Sequence, residues 1–202
     1  MATGIISFNP NVTTSAVGTF LSNTEGYVQG TMLDDPSAQQ WITTGQIVST
    51  ATVPVWAGLP ITETGNVTAG TAANMGPVIA AATAITNITG FTIANQAYNN
   101  IITPGNQVQV ALALMTTSFI RLGSNARIAV AIDSVALASL ENVAINTQLA
   151  WDFTNNALTT YTSGTALPVK LLSINLNSKI VSYNSGTGAV NWTTGAAAII
   201  QI

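Results

Sequence analysis

Across residues 119–133, FIRLGSNARIAVAID, side chains alternate in character with period two. Ile128, Val130 and Ile132 share one face of an extended chain, and Arg127, Ala129, Ala131 and Asp133 share the other. Upstream, Ile120 and Leu122 alternate with Phe119 and Arg121, and Gly123-Ser124-Asn125 supplies residues that accept positive φ. The pattern predicts a β-hairpin closed by a three-residue link.

The same pattern returns twice. Leu149, Trp151 and Phe153 fall on one face ahead of a turn at Asn155-Asn156, and KIVSYNSGTGAVNWTTG predicts a hairpin turning around residues 184–188. From residue 41 onward, short apolar runs are broken by Gly, Pro and Asn, a spacing that suits an all-β, mostly antiparallel fold. A sandwich, jelly roll or barrel meets that description. One short helix is predicted over SVALASLENVA, residues 134–144, with Ser134 as its cap and Leu137, Leu140 and Val143 facing inward. Residues 62–90, rich in Thr, Ala, Gly and Asn, read as plain sheet and loop because β-branched Thr favours strands. The expected organisation is a single β domain over 1–202. Residues 1–36 have weak periodicity, close on the turn Asp34-Asp35-Pro36, and are expected to form an extended N-terminal arm or an edge segment.

Composition narrows what such a fold does. Apolar residues make up 48% of the 202 and charged residues 5%, against a usual charged share of about 25%, so solubility rests on Thr, Asn, Ser and Gln. With four Lys+Arg and a net charge of −3, the attraction that dominates nucleic-acid binding is missing, and so is a polybasic membrane anchor. The start, MATGIISFNPNVTT, lacks the charged and apolar regions of a signal peptide. The stretch GPVIAAATAITNITGF is too short and too polar for a spanning helix, which needs about 20 apolar residues. No direct nucleic-acid partner and no membrane are expected.

The chain has no Cys and no His, which removes disulfides, the commonest zinc ligands and the usual Ser-His or Cys-His nucleophiles. Asp34 and Asp35 are adjacent and point to opposite faces of an extended chain, and Asp133, Glu141 and Asp152 lie on three separate predicted elements. Ser178-Lys179 alternates across its strand, and NSGTGAV lacks the Lys-Ser/Thr ending of a phosphate loop. No catalytic residue, metal site or cofactor is expected. Trp41, Trp56, Trp151 and Trp192 read as packing residues, with a sugar-stacking platform as the other use. Arg121 and Arg127, two of the four cations, remain as candidate interface residues, since a guanidinium suits bidentate pairing across a joint; pairing within the fold, with Asp133 or Asp152, is the other possibility.

Over residues 88–202, through ITGFTIANQAYNNI, SFIRLGSNARIAVAI, NTQLAWDF and KIVSYNSGTGAVNWTTGAAAIIQI, the chain resembles the head decoration, or structural cement, proteins of tailed bacteriophages. That resemblance implies a non-enzymatic virion protein on the outer surface of the capsid. It implies the major capsid protein as partner and self-association as a dimer or trimer. The alternatives are a tail or fibre component, or a carbohydrate-binding adhesin domain using the tryptophans.

Overall fold

The computed structural model describes residues 26–33, 42–65, 76–94 and 108–202. Five strands close a small barrel: β1 (Ile42–Ile47), β3 (Pro60–Thr64), β4 (Val78–Ala81), β5 (Gly90–Thr92) and β7 (Thr116–Arg121), in the order β1-β4-β3-β5-β7. Only the β1–β4 pair is parallel. A barrel this narrow has no room for a lumen, so side chains fill it. Ile47, Ile61, Ile79, Phe91, Phe119 and Ile120 are all fully buried.

A second sheet has the order β11-β12-β8, formed by β8 (Arg127–Ala131), β11 (Lys170–Asn184) and β12 (Ala189–Gln201). Two short ladders complete the fold: β2 (Val55–Trp56) with β6 (Val110–Ala111), and β9 (Leu149–Asp152) with β10 (Ala157–Thr160). One cluster of buried side chains runs through all of them, from Ile47 and Phe91 in the barrel to Ile128, Leu158 and Ile200. The fold is all-β and mostly antiparallel, as the alternation predicted.

The second and third predicted hairpins are present. Asp152 closes the β9–β10 turn by accepting the Thr154 N–H at 2.7 Å and the Asn155 N–H at 3.2 Å, and Asn156 takes the positive φ of 53°. Asn184 closes β11–β12 in the same way, its Oδ1 accepting from Gly186 and Thr187. Both turns rest on a short polar side chain bonding its own backbone.

The first predicted hairpin is not formed. β7 and β8 are regular strands, but β7 pairs with β1 and β5, while β8 pairs with β12. Period two marks a strand without choosing its partner, and here each strand finds a neighbour distant in sequence. Gly123 and Asn125 do carry positive φ, 82° and 60°. They steer a crossover from barrel to sheet, which the chain end pins: Asn125 N–H bonds the Ile202 carbonyl and Ile202 N–H bonds the Ala126 carbonyl. Both faces of β8 are buried, including Ala129 and Ala131 on the face that carries Arg127.

Two further expectations are corrected. The helix shrinks to α1 (Leu137–Leu140), capped without Ser134, because Asp133 takes the Val135 N–H and turns the chain first. Leu140 is buried, and Leu137 and Val143 pack partly against the core. Of the expected N-terminal arm, residues 26–33 belong to the fold: Val28 bridges to Lys179, Met32 bridges to Ile128, and Gln29 is buried with its Oε1 accepting the Val181 N–H. The rest of that arm, with Asp34-Asp35-Pro36, lies outside the described residues, as does Trp41. In the Thr- and Ala-rich 62–90 region, the described residues form strand and loop with one 3-10 turn at Ile85–Asn87.

Candidate interaction surface

The two arginines do not form a common site. Arg121 ends β7, and its Nε and Nη2 donate to the Glu63 carboxylate on β3, with the shortest bond at 2.7 Å. These charge-assisted bonds raise the arginine's pKa further above its usual value. The guanidinium also lies 5.6 Å from the Phe119 ring centre. Thus Arg121 pairs within the fold, with Glu63 and not with Asp133 or Asp152. Sequence alternation had no means of finding Glu63, which lies 58 positions away. Arg127 opens β8 opposite Gln201 in the other sheet and is exposed.

The Arg121–Glu63 pair is bidentate, but the arginine side chain is 54% exposed, so its worth is that of a surface pair. A double-mutant cycle with Arg121→Ala and Glu63→Gln, followed by urea unfolding, is expected to give a coupling of about 0.5–1 kcal/mol. A coupling near zero would show that the pair adds nothing to the fold.

Three other candidate groups are occupied structurally. Asp133 and Asp152 cap turns. Ser178, buried, accepts the Tyr27 N–H and holds residues 26–27 against β11. Among the described residues, no group of three or more Asp or Glu side chains is placed to hold a metal ion. Trp56 and Trp151 are buried, and Trp192 packs partly against the core, so these three indoles are packing residues. Trp56 stacks at a tilt on Tyr183, with centroids 5.6 Å apart.

What the molecule does expose is apolar. Leu112, Leu114 and Met115 are 53%, 61% and 49% exposed on the turn between β6 and β7. Leu114 has a φ of 66°, in the left-handed region where a leucine is strained by about 1–3 kcal/mol. The turn is held rigidly. Met115 N–H bonds the Leu112 carbonyl, Leu114 N–H bonds Ile47, Ile47 N–H bonds Met115, and Gln46 Nε2 donates to the Leu114 carbonyl. The antiparallel β2–β6 pair sets the loop before β2, with its exposed Val53, beside this turn. Neither 42–56 nor 108–120 contains a charged residue.

A second exposed feature is concave. A groove of about 420 Å³ runs between the α1 end and β11, with Leu140, Val143, Leu172 and Ile174 in its walls and exposed Ile145 and Leu176 at its rim. Glu141 is its one charged lining residue. The turn and the groove hold six of the eight large apolar side chains that are exposed among the described residues: Val53, Leu112, Leu114, Met115, Ile145 and Leu176.

Comparison with known protein families, characterised proteins and solved structures finds no match to this chain.

Proposed function

We propose that the chain is a non-enzymatic structural protein of a virion, a capsid decoration protein that sits on the outer surface of a phage head and bridges major capsid proteins. The observation that carries this reading is the gathering of exposed apolar side chains onto a rigid, uncharged turn, supported at a cost in backbone strain. A free-standing soluble domain gains nothing from that arrangement. A part clamped against neighbours buries the leucines, and that burial offsets the strain. Thr and Asn elsewhere on the surface make hydrogen bonds at a joint without the desolvation cost of buried ions. A clamp engaging several subunits gains avidity of roughly 10² to 10⁴ from modest contacts.

Titrating purified chain onto phage heads assembled without a decoration protein, and pelleting them, tests this reading. Saturable co-pelleting is expected, along with slower rupture of the decorated heads on heating. Arg127, exposed at the start of β8, is the retained interface candidate. Arg127→Ala is expected to weaken head binding severalfold while leaving the free chain's unfolding free energy within about 0.5 kcal/mol of the parent, as for most surface changes. If the change unfolds the free chain, the arginine serves the fold and not the joint.

A further inference from the structure

We infer that the two outer edges of the β11-β12-β8 sheet form a strand-acceptor site, and that residues 26–33 are a strap that fills this site and leaves it without unfolding the rest of the chain. The inference is independent of attachment to a shell and is tested with no capsid present.

One short segment covers both edges. Residues 26–29 run parallel to β11, where Lys179 N–H bonds the Tyr27 carbonyl at 2.8 Å and Gln29 N–H bonds the Lys179 carbonyl at 2.9 Å. Residues 30–33 run antiparallel to β8: Gly30 N–H bonds the Ala129 carbonyl at 2.7 Å, Ala129 N–H bonds the Thr31 carbonyl at 3.0 Å, and Leu33 N–H bonds the Arg127 carbonyl at 2.9 Å. Without the strap each edge would present a row of unpaired donors and acceptors, the template on which an extended peptide adds as a strand.

The strap changes edge at Gly30, whose φ is 81°. In a regular parallel ladder Val181 N–H would bond the Gln29 main-chain carbonyl. The chain has turned away by then, and Gln29 Oε1 takes that N–H instead, at 2.8 Å. The substitution is incomplete. Gln29 is buried, and its Nε2 donates to no group of the protein. A buried donor left unpaired weakens docking. Tyr27, Val28 and Met32 are only partly buried, so main-chain bonds carry most of the attachment, including one from Ala94 N–H to the Gly30 carbonyl on the barrel side. Few buried apolar contacts and many backbone bonds characterise a segment that opens locally.

Gly30→Val releases the strap, because a side chain there meets Ala57 and a β-branched residue resists positive φ. The full-length variant should keep the circular dichroism of the parent and saturably bind a fluorescent synthetic peptide of residues 26–33. The parent, with its site filled from within, should bind that peptide about tenfold or more weaker. The peptide carrying Gln29→Leu should bind the variant about tenfold more weakly, having lost the bond to Val181. A variant that unfolds, a folded variant that binds no peptide, or equal binding by parent and variant or by the two peptides would overturn the inference. Hydrogen exchange of the parent chain gives a second reading without any substitution. The amides of Gln29, Gly30, Leu33, Ala129 and Lys179 should exchange as a group, about tenfold or more faster than those of the buried β12 residues 197–200. Equal rates would make the strap part of the cooperative core and overturn the inference as well.

Discussion

Phe91→Ala is expected to destabilise the fold by about 3–5 kcal/mol, a large fraction of the total stability of a typical domain. Phe91 is fully buried on β5, between β3 and β7 in the barrel wall. Its ring meets Trp151 of β9 edge to face, with centroids 5.6 Å apart. That contact joins the barrel to the β9–β10 hairpin, so truncation opens a cavity where two parts of the core meet. Phe91→Leu retains most of the volume and should cost clearly less. Urea unfolding monitored by tryptophan fluorescence reads both changes. A loss below about 1 kcal/mol for the alanine variant would mean that the barrel and hairpin do not share a core at this point.

Thr92→Val, next along the same strand, should cost about 2–3 kcal/mol although the shape of the side chain is conserved. The Thr92 hydroxyl is fully buried. It donates to the Trp56 carbonyl at 2.6 Å and accepts the Leu59 N–H at 3.0 Å, stitching the chain between β2 and β3 onto β5. Valine fills the same space but leaves that N–H and that carbonyl facing a methyl group, and an unsatisfied buried polar group costs far more than a hydrogen bond gains. Thr92→Ser, which keeps the hydroxyl and loses a methyl, should retain most of the stability. If the valine and serine variants unfold at the same urea concentration, packing and not hydrogen bonding holds that loop.

These residues also show which parts of the structure were legible in the sequence. Alternation located β7, β8, β9 and the 179–184 part of β11, even though β8 proves buried on both faces, and the turns at Asn155-Asn156 and 184–188 were visible because Asn and Gly provide their bonds and their positive φ. Pairing was not legible: β7 and β8, adjacent in sequence with a turn-like link, enter different sheets. The partner of Arg121 was hidden for the same reason, since barrel closure is what brings Glu63 alongside it.

The exposed turn at residues 112–115 was hidden for a different reason. VQVALALM alternates like a continuous strand and contains no Gly, Asn or Pro to mark a break. The chain nevertheless turns there, placing a leucine where those residues normally stand. Turn chemistry is a reliable guide where the backbone is relaxed, and it fails where a residue such as Leu114 takes a strained conformation.

Electron cryomicroscopy of heads saturated with the purified chain tests whether it clamps the outside of a viral head. Barrel-sized density is expected on the outer surface, seated across the junctions between major capsid proteins, with the 112–115 turn in a buried contact. Bare heads, or density confined to the tail or the interior of the shell, would contradict it.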